Sequence, residues 1–267
     1  MSLALQFDKI SVTFPPSNRS ETPWRAVADT TLSVAEGEFV SVVGPTGCGK
    51  STLLNVAAGL LAPSAGAVRV FGEPLTDLNR RAGYMFQADA LLPWKTAAEN
   101  VGFGLLLAGV PPTETAEQTR HWLAKVGLTH AADRYPHQLS GGMKKRVGMA
   151  QALIVDPKIL LMDEPFSALD VQTRQLMENE LLALWQNDRK SVLFITHDLE
   201  EAISLSDRVI VLSAGPDTHP IGEFPIDLPR PRDVAEIRLT PRFVELHEQI
   251  WQVLRGEVLK GYAQTTA

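Results

Sequence analysis

The chain has little of what secretion, membrane insertion or nucleic-acid binding requires. Its single cysteine, Cys48, rules out an internal disulfide, and a reducing compartment is expected. No apolar run approaches the roughly eighteen residues of a membrane span, and no basic stretch followed by an apolar segment opens the chain. Neither secretion nor integral membrane insertion is therefore expected. Positive charge is in deficit, with 25 Lys and Arg against 31 Asp and Glu, for a formal net charge of −6. A polyanion gains nothing from that overall field and must be held by local donors, so general nucleic-acid binding is not expected. Internal repeats and low-complexity segments are also lacking. What remains is an ordinary globular composition, 45% hydrophobic and 21% charged over 267 residues, enough for one large α/β domain or two small ones.

The most specific stretch is Gly44-Pro45-Thr46-Gly47-Cys48-Gly49-Lys50-Ser51-Thr52. It fits the phosphate-binding pattern of two spaced glycines followed by Lys and Ser or Thr. A β-branched run, Phe39 to Val43, precedes it and a helical pattern, Leu53 to Ala58, follows, which is the context the motif requires. Gly44, Gly47 and Gly49 can take positive φ and let backbone N–H groups turn toward an anion. The helix start adds unpaired N–H groups and its positive dipole end, Lys50 adds a full charge, and the Ser51 hydroxyl is placed for Mg²⁺. A bound nucleoside triphosphate is the expectation.

Alternating polarity predicts strands over Leu3 to Phe14, with one break in register, and over Ala26 to Val34, joined by a loop from Pro15 to Trp24. Further strands are expected at Ala67 to Phe71, Ala82 to Phe86, Ile159 to Met162, Val192 to Ile195 and Val209 to Leu212. Between Ala97 and Val155 the pattern turns helical, which predicts an insertion into an α/β domain. In the tail, Thr240 as N-cap, Pro241 at the first helical position and a stripe of Phe243, Leu246, Ile250, Val253 and Leu254 predict one more helix.

Two other stretches carry chemistry. Ile159 to Met162 is an apolar run ending in Asp163 and Glu164, as in a buried parallel strand that opens on a ligand crevice. Asp163 is placed to hold Mg²⁺ through water, and Glu164 is a candidate general base for attacking water. Leu139-Ser140-Gly141-Gly142-Met143 opens a helix whose first turns carry Lys144, Lys145 and Arg146, cations that oppose the dipole unless an anion binds there. Taken alone, His197 and Gln87 are a structural histidine and a surface amide.

In order and spacing these motifs, with Ser167 to Asp170 and His197, resemble the ATP-binding cassette ATPases over about residues 3–212. The resemblance implies an α/β P-loop NTPase with a mainly parallel core sheet, an N-terminal antiparallel β subdomain and an inserted helical subdomain near residues 88–157. The ATPase domain would span residues 1–230 and a helical tail 231–267. It implies that Gln87 contacts the metal and senses the γ-phosphate, that Glu164 is the catalytic base, and that His197 orients phosphate and water. Leu139 to Met143 would act on the ATP of a second cassette subunit, taken as a copy of this chain, with Asp170 at the dimer seam. Phe14 matches the ring that stacks on adenine, and Trp24 is its rival. Neither of two departures, Lys145 for Gln and Gln151 for Arg, is expected to touch the cradle, the metal or the base. Met143 and the flanking residues resemble bacterial importers of the nitrate, sulfonate, taurine and thiamine-precursor group. The expected partners are an integral-membrane permease and, indirectly, an extracytoplasmic substrate-binding protein, which places the chain peripherally on the cytoplasmic face of the inner membrane. The rival readings are a soluble cassette ATPase acting on ribosomes or DNA and a small-molecule P-loop kinase, which has no use for Leu139 to Met143.

Overall fold

Leu5, Phe7, Ile10 and Val12 bury one face of the first strand, which is what their alternation demands. The computed structural model describes residues 2–16 and 22–265, so part of the expected Pro15 to Trp24 loop lies outside the described residues. β1 (Leu3–Phe14) pairs antiparallel with β2 (Trp24–Ala35) on one side and with β4 (Ala65–Val70) on the other, and the two-residue β5 (Glu73–Pro74) completes this sheet. The single expected register break becomes several irregularities against β2, and Lys9, at φ 49°, marks one of them.

The second sheet holds β3 (Phe39–Val43), β6 (Ala82–Met85), β7 (Ile159–Asp163), β8 (Ser191–Ile195), β9 (Arg208–Leu212) and β10 (Pro220–Pro225), in the order β10-β9-β3-β8-β7-β6. Every pairing is parallel except β10 with β9. β3, β7 and β8 are buried along their whole length, because α1 (Lys50–Ala57), α5 (Val171–Asn187) and α6 (Leu199–Leu205) and the first sheet cover the two faces. Their carboxyl ends lie side by side, and ligand crevices of open parallel sheets form there.

Between β6 and β7 run α2 (Ala97–Leu107), α3 (Pro112–Lys125) and α4 (Gly141–Leu153), the expected helical insertion. It has its own core, including Val101, Leu105, Leu123, Val147 and Ile154. Each such side chain contributes roughly 1.5–3 kcal/mol of burial. Thr96 and Glu99 form a capping box that fixes where α2 begins. The tail adds α7 (Val234–Ile237) and α8 (Pro241–Thr265), and the Phe243 N–H reaches the Thr240 hydroxyl at 3.4 Å as a cap. Phe243, Leu246, Ile250 and Leu254 share one apolar cluster with Leu199, Ile203 and Val211. Farther along α8 the Glu257 carboxylate accepts the Ala214 N–H at 2.8 Å. The tail helix is thereby fixed to the loop that leaves β9.

Candidate nucleotide site

Gly47 at φ 78° and Gly49 at φ 101° take up the left-handed backbone that the phosphate loop was expected to need. Gly44 does not. Its requirement is space, since a Cβ there would lie 3.0 Å from Cys48 Sγ and 3.2 Å from Leu212 Cβ. Cys48 is buried in the core beneath the loop, and burial pushes its thiol pKa up. Lys50 is the first residue of α1, and its ammonium donates to the Gly44 and Pro45 carbonyls at 2.9 Å each. Thr46, Gly47, Gly49, Lys50, Ser51 and Thr52 line a cleft of about 490 Å³, and Gln87, Glu164 and His197 complete its wall. Asp163 reaches this group through the Ser51 hydroxyl, which donates to its Oδ1 at 3.0 Å. Burial raises the Asp163 pKa, and the bond from Ser51 opposes that shift.

Glu164 follows the end of β7 in a left-handed conformation, φ 41°. Such a backbone costs an ordinary residue roughly 1–2 kcal/mol. Three bonds hold it there: the Glu164 N–H donates to the Ile195 carbonyl at 2.8 Å, and its own carbonyl accepts from the Ser167 hydroxyl at 3.0 Å and the Ser167 N–H at 3.3 Å. The turn aims the carboxylate into the cleft. Its Oε2 accepts from the Gln87 amide at 3.1 Å and lies 2.9 Å from His197 Nδ1. Three residues from three separate loops thus meet on one oxygen.

Leu139 is buried, and Ser140 begins α4 as its N-cap, accepting from the Met143 N–H at 3.3 Å. None of Leu139, Ser140, Gly141, Gly142 and Met143 lines the cleft of its own chain. Asp170 caps α5, and the Thr173 N–H bond holds its carboxyl below the usual range. Phe14 and Trp24 face each other across β1 and β2, both exposed, so they share one face of the sheet. Neither lines the cleft, although Val27 of β2 packs against the phosphate loop: a Cβ on Gly49 would lie 3.2 Å from Val27 Cγ2.

Two expectations about α4 need correction. Two of the three cations at its start are spoken for within the chain: Arg146 pairs with Glu180 at 2.6 Å and Lys145 with Asp89 at 3.2 Å, so these two need no bound anion to explain them. Lys145 also touches the site, because its ammonium donates to the Gln87 carbonyl at 2.7 Å. Arg174 and Asn100, outside the cleft, were not legible as residues that hold neighbouring segments. Arg174 pairs with Asp198, the cap of α6 beside His197, at 3.0 Å, and Asn100 bonds the backbone of Leu92, Lys95 and Thr96. The one available signal was an Asp standing before a helical pattern.

A family model described as ABC transporter matches residues 27–167. The nitrate import ATP-binding protein NrtD of Synechococcus elongatus is 42% identical over 92% of this chain and 89% of its own length. The chain belongs to the ABC transporter family. This ABC ATPase is also 41% identical to the taurine import ATP-binding protein TauB of Pseudomonas entomophila, over 92% of this chain and 94% of that protein. A solved dimeric ATP-binding cassette, in a post-hydrolysis state bound to ADP and Pi, is 32% identical to it at a TM-score of 0.74, covering 84% of this ABC ATPase and 99% of that chain. It is an ATP-binding ATPase of the importer subfamilies, and its α/β cassette fold is theirs.

Proposed function

We propose that the chain powers uptake of a small solute of the nitrate, sulfonate or taurine class through a membrane permease, as a head-to-tail dimer of two copies. The observation that carries the catalytic part is the meeting of Gln87 and His197 on Glu164 Oε2 at the phosphate-loop cleft. Glu164 takes a proton from the attacking water, while Gln87 and His197 orient the carboxylate, the water and the γ-phosphate. Gly44 to Thr52 holds the phosphates through amides and the Lys50 ammonium. Phe14 stacks on adenine, with Trp24 beside it.

The chemistry of the donors fits Mg²⁺. Ser51 and Asp163 bring a hydroxyl and a carboxylate together, and the Gln87 amide oxygen is a third hard donor. Among the described residues no group of three or more His, Cys, Asp or Glu could hold a metal, which suits an ion that takes its other ligands from phosphate and water. When bound, Mg²⁺ would offset charge on the β- and γ-phosphates.

The dimer reading is supported by the outward position of Ser140 and Gly141, away from their own cleft, and by the dimeric state of the solved relative. Leu139 to Met143 then completes the partner's ATP site, and Asp170, at the nearby start of α5, lies at the seam. The permease reading is supported by exposed aromatic groups in the segment that carries Gln87: Phe86 and Trp94, which is 71% exposed. No helix among the described residues is long and apolar enough to cross a membrane, so a permease would supply the span and link the chain to the substrate-binding protein. The chain would then sit peripherally on the cytoplasmic face of the inner membrane. Those exposed aromatic groups favour the importer over an ATPase acting on ribosomes or DNA.

Mixing two inactive variants tests the composite site. A Lys50→Ala chain and a Ser140→Arg chain should form one intact site between them and regain hydrolysis. Mixed dimers, shown to form by cross-linking, that stay inactive would count against a signature acting in trans.

A further inference from the structure

Lys145 carries an ammonium to a position only 4% exposed on α4, where its partners are the Gln87 carbonyl at 2.7 Å and Asp89 Oδ1 at 3.2 Å. A buried ammonium is costly unless paired, so this residue is tied to the Gln87 main chain and the Asp89 carboxylate together. Residues 86–90 are exposed, and between them and Lys144, Gly148 and Gln151 remains a gap of about 30 Å³, room for about one water. Gln87 is consequently tied at two points: its side chain to Glu164 at the end of β7, and its main chain to Lys145, two residues after Met143.

We propose that Lys145 is a positioning residue for ATP hydrolysis. By holding the Gln87 carbonyl it sets where the Gln87 amide meets Glu164, and it joins that amide to the signature end of α4 through one rigid helical turn. A methionine of similar length would fill the space and leave the carbonyl without its donor. A glutamine would restore a donor without the charge. This inference rests on the roles given above to Gln87 and Glu164.

The experiment compares purified wild type, Lys145→Met, Lys145→Gln and Glu164→Gln for steady-state hydrolysis, affinity for a fluorescent ATP analogue and thermal midpoint. Lys145→Met should bind nucleotide as wild type does, with kcat about tenfold lower, the worth of one charge-assisted hydrogen bond. Lys145→Gln should regain most of that loss. A wild-type kcat in Lys145→Met, an equal loss in Lys145→Gln, or a parallel loss of affinity overturns the proposal. Should Lys145→Met not fold, Asp89→Ala serves: Lys145 keeps its bond to Gln87, so kcat should hold, and a tenfold fall would place the effect on the ion pair and against the carbonyl. Full hydrolysis by Glu164→Gln would remove the underlying reading of the base. An inactive Glu164→Gln beside an unaffected Lys145→Met would remove the positioning role alone.

Discussion

Ser51 and Asp163, 112 positions apart in the chain, are joined by a hydrogen bond of 3.0 Å from Oγ to Oδ1. It ties the first turn of α1 to the end of β7 and holds two hard oxygen donors together. Ser51→Ala and Asp163→Asn should each raise the Mg²⁺ concentration for half-maximal hydrolysis by about tenfold or more. A Mg²⁺ titration at saturating ATP reads this directly, and an unchanged requirement in both would remove the pair from the metal site.

Lys50 and Glu164 should separate binding from chemistry. Glu164→Gln keeps the cradle intact and should slow hydrolysis by about 10² to 10⁴, while ATP-bound dimers accumulate. Lys50→Ala removes the charge inside the loop and should weaken nucleotide binding itself. Equilibrium binding to both variants is the check: equal affinities would contradict these assignments.

Trp94 should matter for coupling and leave the chemistry alone. It is exposed, it does not line the cleft, and the Asn100 side chain pins the backbone that presents it. Trp94→Ala should lower permease-stimulated hydrolysis and uptake while basal hydrolysis stays unchanged, because an aromatic anchor lost from an interface commonly costs about 2 kcal/mol or more. Complex assembly and uptake measured on the same reconstituted preparation would decide it. Normal values for both take this segment out of the permease interface.

Stability should fall as the pH rises above the ordinary carboxylate range. Burial lifts Glu201 from 4.5 to about 8, against the opposing bond from the Thr196 hydroxyl. Burial likewise lifts Glu178 to about 7, against the nearby Arg238 at 3.1 Å. Asp198, Arg174 and Glu200 also face these groups. A carboxyl whose folded pKa is raised binds its proton more tightly in the folded state, so its contribution is complete below about 4.5 and is lost as the pH passes through 7 and 8. Asp156 and Asp217, held low by Lys190 and Arg25, act in the opposite sense but below 3.8, outside that window. Thermal midpoints across the window should decline in wild type and decline less in Glu201→Gln. Parallel curves would show that Glu201 titrates normally.

Most of the parallel sheet was legible because its central strands are short, mainly apolar runs, β7 unbroken up to Asp163 and β3 interrupted only by Ser41, and the phosphate loop because no other use explains Gly47, Gly49, Lys50 and Ser51 together. The tail helix was legible from Thr240, Pro241 and one apolar stripe. β10 was not, since proline stands at both its ends and only β9 pairs with it. The two-residue β5 is too short for any periodicity. Lys145 was misread for a different reason: a basic run at a helix start reads as facing an anion, and only the fold brings Asp89 and the Gln87 carbonyl to it across 56 and 58 positions. The conformation of Glu164 was equally hidden, because a positive φ at a non-glycine residue leaves no mark in composition.

That conformation opposes two kinds of selection. Glycine or asparagine at 164 would sit in the left-handed region without the penalty a glutamate bears there, so Glu164→Gly and Glu164→Asn should gain about 1 kcal/mol of stability while losing hydrolysis. A library of this chain sorted only for heat resistance should therefore drift toward inert proteins at this one position. Sorted for turnover, it should keep the less comfortable residue.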